Sequence, residues 1–506
     1  MSLLLLILLQ LFLTGQSTAV LFPPSNATTL SAALHACDQL QSSLGPSIVQ
    51  TTGAEYLVGA TNAWNLQNSQ YQPTCIVFPR TSAHVQTAME AIYAAGSHYA
   101  VQAGSHSAMK GWNTVQDGVL ILFTHMKNVS YDPKTDSITL QPGVHWQEAI
   151  AALEPFGVAP VGGRVGDVGT GLLLGGGLSY LSPSQGYAAD NFKALDVVLV
   201  NGEMVTATAS NKYSDLFRAL KGGGNRFGIV TRYELIAVHT GTKDDKAFFG
   251  GLVLYNSSAT EALLKETARY TRDVNDPNAV LLVALTNLIG GELFSFAAMF
   301  YRGSELPAHI FGHFLSIPAA PCSPLDPTVC SPPPLGPLSY FDVMTTLGSQ
   351  NERGFVQRYG ASALDGADED AYLAAFEHWS NFSAAFKDEL SMTTLGFTPI
   401  PESQVQAGRA KGGNIIAPPR GGWAAVQLAE QFKAGVADVS PRVQRGIDLL
   451  FEQIPPSRGL PLYLSECDSQ QKVFQSYGDY ELLKKIYAKY DPTRFNMAHT
   501  QGPGGL

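Results

Sequence analysis

Two glycine-rich stretches, about sixty residues apart, limit most strongly what this chain can fold into. The first runs through Gln102, Ala103, Gly104, Ser105, His106 and Ser107. The second runs from Gly162 and Gly163 through Arg164, Val165, Gly166, Asp167, Val168, Gly169, Thr170 and Gly171 to Gly176, Gly177, Leu178 and Ser179. Glycines at this density let the main chain approach a ligand closely, because no Cβ intervenes and positive φ costs little. Successive exposed N–H groups in such loops form an anion-binding concavity suited to a pyrophosphate. Neither stretch contains the GxxxxGK[ST] pattern of a nucleoside-triphosphate loop. A single histidine, His106, stands in the first loop; alone it would read as a turn residue, and the second loop shifts the balance toward function.

At 506 residues the chain exceeds one hydrophobic core, so two or three domains are expected. A net charge of −10 and the lack of any Lys/Arg run argue against nucleic acid as the main partner. Leu3 to Leu13 is an apolar core broken only by Gln10, and small residues Ser17 and Ala19 follow it. This reads as a secretory signal, with a short membrane anchor as the alternative. No later segment has 18 apolar residues in a row, so the mature chain is expected to be soluble, with no membrane partner. Glycosylation sequons begin at Asn26, Asn128, Asn256 and Asn381. Of five cysteines, pairing of Cys37 with Cys75 would tie an N-terminal helix to the first strand. Cys322 with Cys330 would close a Pro-rich loop, leaving Cys467 free, and no Cys/His spacing suggests a metal site.

Along the chain, Ser31 to Gln41 reads as a helix and Cys75 to Phe78 as a strand ended by Pro79. A helix from Ser82 to Ala95 and a strand at Tyr99 to Val101 complete a βαβ unit feeding the first glycine loop. Asn201-Gly202 marks a hairpin between Ala194–Val200 and Met204–Ala207. Phe227 to Val238 is another strand. From about residue 248 strands recur (Phe248–Tyr255, Val280–Leu288, Leu293–Tyr301), with helices at Ala259–Asp273, Glu369–Asn381 and Val439–Ile454. That region is expected to be an antiparallel sheet covered by helices. Pro461–Leu464 reads as a strand and Asp479–Tyr490 as a helix.

Together these features resemble the FAD-linked oxidases of the vanillyl-alcohol oxidase type, berberine-bridge-enzyme-like branch. The matching pieces are Pro73 to Pro79, Gly104 to Ser107, Gln141-Pro142-Gly143 and Gly169 to Ser179. Further pieces are Gly186-Tyr187-Ala188-Ala189-Asp190-Asn191, Gly222 to Val230, Tyr477-Gly478 and Lys489 to Pro492. The resemblance implies an α+β fold: a two-part FAD-binding domain of the PCMH type plus a substrate domain whose antiparallel sheet is covered by helices. It divides the chain into a signal (1–19), an N-terminal segment (20–70), the FAD domain (71–240), the substrate domain (241–455) and a C-terminal return (456–506). It implies FAD contacts at residues 102–107, at Gly163, Gly166, Asp167, Gly169, Thr170, Gly176, Gly177 and Ser179, and at Gly186, Asp190 and Asn191. Gly228, Ile229, Val230 and Asn496 complete that set.

In the family the histidine matching His106 is joined to the flavin's 8-methyl carbon. A second, cysteinyl link is not available, because Val165 stands at its position. The chain also departs from the pattern at Ser105, where glycine is usual, and at Gln102, where arginine is common. The resemblance further points to Tyr463 as the proton acceptor, with Glu466 second. The activity implied is oxidation of a small organic molecule, a natural-product intermediate, by hydride transfer with O2 as acceptor, in a monomeric protein. A carbohydrate oxidase and a flavoprotein using FAD without net redox turnover are the alternatives.

Overall fold

The computed structural model describes residues 26–288, 293–320 and 335–506. The expected signal and the Cys322/Cys330 pair lie outside the described residues.

Asn26 caps helix α1 (Ala27–Leu44), its side chain accepting from the Thr28 and Thr29 N–H groups. Behind it lies a four-stranded sheet of β1 (Val49–Gln50), β2 (Cys75–Val77), β3 (Tyr99–Gln102) and β4 (Val119–Leu122), in the order β1-β2-β4-β3. Helix α2 (Ser82–Ala95) crosses between β2 and β3, yet these strands are not neighbours: each pairs in parallel with β4. The βαβ reading therefore holds in connection and not in adjacency, because the all-apolar β4 takes the doubly covered centre. Cys37 of α1 and Cys75 of β2 form a disulfide, with their Cα atoms 6.0 Å apart. Cys467 is buried and free.

A second sheet is wholly antiparallel: β5 (Val129–Asp132), β6 (Ser137–Leu140), β10 (Ile229–Ile236), β8 (Phe192–Val198) and β9 (Met204–Thr208). The short strands β7 (Val158–Ala159) and β11 (Val238–His239) pair with one another beside it. Asn201-Gly202 does turn the β8–β9 hairpin, with Gly202 at φ 87°.

The third sheet has seven antiparallel strands. They are β12 (Phe248–Asn256), β13 (Ala279–Leu288), β14 (Leu293–Tyr301), β15 (Gly336–Leu338), β16 (Gln357–Asp365), β17 (Leu390–Ile400) and β18 (Trp423–Phe432). One face packs on helices α3 (Thr260–Asp273), α4 (Glu369–Ala385) and α5 (Pro441–Gln453), burying Val253, Leu281, Val283, Leu285, Met299, Leu395, Phe397, Val426 and Leu428. Side chains alternate across a strand, so the intervening residues Leu252, Leu254, Leu282, Ala284, Thr286, Phe296, Met392, Thr394, Gln427 and Ala429 face the other way, into a cavity.

The C-terminal segment departs from the sequence reading. Pro461–Leu464 is not a strand; it is an irregular stretch leading into a single turn at Leu464–Glu466. The Leu462 N–H donates to Ser476 Oγ at 2.9 Å, so a side chain takes the place of a neighbouring strand. Helix α6 (Tyr480–Tyr490) follows as expected.

Candidate active site

The two glycine loops meet at one crossing. A Cβ placed on Gly104 would lie 2.5 Å from the Gly169 nitrogen, and one on Gly169 would lie 2.5 Å from the Gly104 nitrogen. Only two glycines allow backbones to pass this closely. The crossing forms part of the wall of a cavity of about 720 Å³, between the glycine loops and the exposed face of the seven-stranded sheet. Of the expected cofactor residues, Ala103, Gly104, Ser105, His106, Ser107, Gly169, Thr170, Gly228, Ile229 and Val230 line it. Gly171 lines it too, and a Cβ there would meet no protein atom within 4 Å. A bare main chain bordering open space is the cradle that a dinucleotide needs. The residues present therefore fit FAD.

The remaining expected contacts build the scaffold behind this wall. Gln102 is buried and donates from Nε2 to the Asn113 carbonyl at 3.1 Å. Gly163 makes room for the Trp146 indole, since a Cβ would come within 2.4 Å of it. Gly166 packs on Gln147, and Asp167 pairs with Arg353 at 3.0 Å. Gly176 and Gly177 both take positive φ (99° and 77°) in a turn against Tyr187 and Ala188. The Ser179 N–H donates to Ser182 Oγ. Gly186 touches Asp190, whose carboxylate accepts from the Tyr187 N–H and from Asn414. Asn191 receives Lys411 Nζ. Asn496 donates to Tyr99 Oη and the Asn225 carbonyl, so it holds two residues that do line the cavity. Glycine density along a chain does not separate the glycines that face a ligand from those that admit a neighbouring side chain.

His106 is half-buried, and its ring stacks on Trp64 with centroids 4.0 Å apart and planes 15° from parallel. Its Nε2 lies 3.0 Å from the Gln350 carbonyl oxygen. Burial lowers its pKa, outweighing the opposing effects of that carbonyl and of Asp167. Ser105, standing where glycine is usual, adopts φ 63°, the left-handed conformation that glycine takes most readily.

At the far end, Tyr463 and Glu466 both line the cavity. The Tyr463 hydroxyl accepts the Leu178 N–H at 3.0 Å, and burial pushes its pKa up to about 12. Glu466 is buried 3.4 Å from Arg164 Nη2, and Arg164 is itself held by Thr398 Oγ1 at 2.8 Å. Burial raises the Glu466 pKa, and Arg164 opposes the rise. Sequence reasoning missed Trp64, Arg164, Gln350 and Arg353 as site residues. Arg164 stands within the second glycine stretch, where nothing local marks it as a partner for Glu466; the other three belong to no glycine pattern, and only the fold brings them to the loops.

The comparisons agree with this geometry. Residues 73–208 match the FAD binding domain family. An uncharacterized FAD-linked oxidoreductase of Arthroderma benhamiae is 27% identical over 474 residues, covering 90% of this chain and 92% of that protein. Other fungal relatives are named FAD-dependent monooxygenases. Carbohydrate oxidase from Microdochium nivale superposes with a TM-score of 0.74 at 18% identity, covering 93% of this chain and all of that one. The berberine-bridge-enzyme-like 1 protein of Physcomitrella patens gives 0.71 at 19% identity, covering 91% and 97%. The chain thus carries an FAD binding domain over residues 73–208, is similar along nearly its whole length to fungal FAD-linked oxidoreductases, and shares its fold with the carbohydrate oxidase and berberine-bridge-enzyme-like structures.

Proposed function

We propose that this protein is a secreted FAD-dependent oxidase acting on a neutral, largely apolar small organic molecule such as a natural-product intermediate, with Glu466 as the proton acceptor. The observation that carries the reading is the buried Glu466–Arg164 pair facing the cavity that the glycine loops border. Bound FAD would supply the hydride acceptor, and O2 would collect both electrons and two protons as hydrogen peroxide. Glu466, raised in pKa by burial, suits removal of a substrate hydroxyl or amine proton. Arg164 keeps the carboxylate form accessible and fixes its position. Tyr463, protonated at neutral pH, orients and does not abstract. Leu252, Leu254, Leu282, Phe294, Phe296 and Met392 line much of the sheet wall, beside Thr286, Thr394 and Gln427, and this mostly apolar wall favours an apolar molecule over a sugar's ring of hydroxyls.

His106 is the residue that would bind the flavin's 8-methyl carbon. The N–C bond would replace one C–H bond, and two electrons with the carbon's proton and one imidazole proton would leave on dioxygen as peroxide. Secretion is supported by the apolar N-terminus, by the Cys37–Cys75 disulfide and by exposure of Asn26, Asn128, Asn256 and Asn381. The test is anaerobic substrate screening of the yellow protein. Bleaching, followed by stoichiometric peroxide on admission of air, upholds the oxidase. Oxygen incorporated into product would instead indicate a monooxygenase, and product formed without bleaching would indicate non-redox use of FAD.

A further inference from the structure

The segment from Gly348 to Arg353 lies across both glycine loops. The Gly166 N–H donates to the Gly348 carbonyl at 3.2 Å, and the Asp167 N–H to the Ser349 carbonyl at 3.1 Å. Arg353 Nη2 donates to Ser105 Oγ at 3.2 Å in the first loop and to Asp167 Oδ2 at 3.0 Å in the second. Its Nη1 closes back on the Asn351 carbonyl at 2.8 Å, and its Nε reaches the Asn62 carbonyl at 3.3 Å. One guanidinium thus spans two loops that are about sixty residues apart in sequence, using the rigid fork that lysine lacks.

Between these anchors the Gln350 carbonyl meets His106 Nε2 at 3.0 Å. A carbonyl oxygen only accepts, so Nε2 carries the proton of the neutral ring and Nδ1 keeps the lone pair. Trp64 fixes the ring plane. The Asp167 carboxylate, which could otherwise compete for the imidazole proton, is taken by Arg353. Gln350 adopts φ 48° and Ser105 φ 63°, so both contacts to the strap use backbone that non-glycine residues seldom adopt.

We infer that Arg353 and Gln350 are positioning residues for His106: Arg353 locks the first glycine loop to the second, and the Gln350 carbonyl holds the imidazole with Nδ1 as its free nucleophilic nitrogen. The inference rests on His106 being the flavin-bearing residue. Through it the substrate domain, which contributes the strap, sets the geometry of the cofactor's attachment.

The test compares wild type with Arg353→Met, Arg353→Lys, Asp167→Asn, Gln350→Gly and Gln350→Val, each purified as holoprotein and checked for folding by thermal melt. Three quantities are read: the fraction of chain fluorescent with flavin after denaturation, the nitrogen linked in the His106 peptide, and the 15N shifts of His106 identified by difference against His106→Ala. Expected is linkage through Nδ1 in wild type. Arg353→Met should lower the attached fraction by about fivefold or more, the scale of one lost charge-assisted hydrogen bond, with Arg353→Lys and Asp167→Asn between. Gln350→Gly, which tolerates positive φ, should stay near wild type, and Gln350→Val should not. Linkage through Nε2, or full Nδ1 attachment in a folded Arg353→Met protein, would overturn the inference. A wild type with no flavin on His106 would remove the attachment reading alone. The 15N shifts then decide: a proton on Nε2 upholds the positioning role, and a proton on Nδ1 ends it.

Discussion

Gly104 and Gly169 pass each other so closely that a methyl group on either would sit 2.5 Å from the other's backbone nitrogen. Gly104→Ala or Gly169→Ala should therefore push the loops apart. The cost is expected at about 1–3 kcal/mol, the usual range for overpacking. Both variants should melt lower and copurify with less flavin, read as the ratio of visible to ultraviolet absorbance. Gly171→Val is the contrast: its side chain would project into open cavity, so flavin should be lost while the melting temperature of the flavin-free protein is kept.

Glu466→Gln should lower turnover by about 10²–10⁴-fold, the range for losing a general base, without releasing flavin. In the wild type the acidic limb of kcat/KM should lie above the ordinary carboxylate range, because burial raises the Glu466 pKa. Arg164→Met removes the cation that opposes this rise, so it should move the limb to still higher pH. A limb unmoved by Arg164→Met would assign the proton transfer to another group.

In the seven-stranded sheet, Glu430 stands opposite Arg358, whose guanidinium is committed to Asp468 with Nε–Oδ2 at 3.0 Å. Neither Glu430 oxygen has a partner among the described residues, and burial pushes its pKa up to about 8. A carboxyl whose folded pKa exceeds its unfolded value binds more protons in the native state, so stability falls as pH rises from about 4.5 to about 8. Glu430→Gln should thus raise the melting temperature at pH 8 by several degrees. The gain should shrink as pH approaches 4.5, which melts across that range would show.

The Cys37–Cys75 bond closes a loop of 38 residues between α1 and the first sheet. Replacing both cysteines with serine should cost about 4 kcal/mol in the chain-entropy account, seen as a lower melting temperature. Neither cysteine lines the flavin cavity, so flavin content should hold.

Much of this was legible before any coordinates. The glycine loops, the hairpin at Asn201-Gly202 and the mixed sheet-and-helix class all carry local signals that resist tertiary override. The failures share a cause. Pro461–Leu464 has a strand's composition, but its N–H at Leu462 is satisfied by Ser476, a contact invisible to periodicity. Gly163 looked like a ligand contact and proved to be room for Trp146. Arg353 lies about 190 residues beyond Asp167, and no local pattern announces a residue whose role is to span two distant loops.

The seven-stranded sheet divides its residues by parity. Leu281, Val283 and Leu285 hold the fold, while Leu282, Ala284 and Thr286 between them meet whatever enters the cavity. Chemical taste can drift on one set of alternate positions while foldedness is guarded by the other. A lineage carrying this sheet could therefore acquire new substrates by single exchanges, with its architecture left untouched.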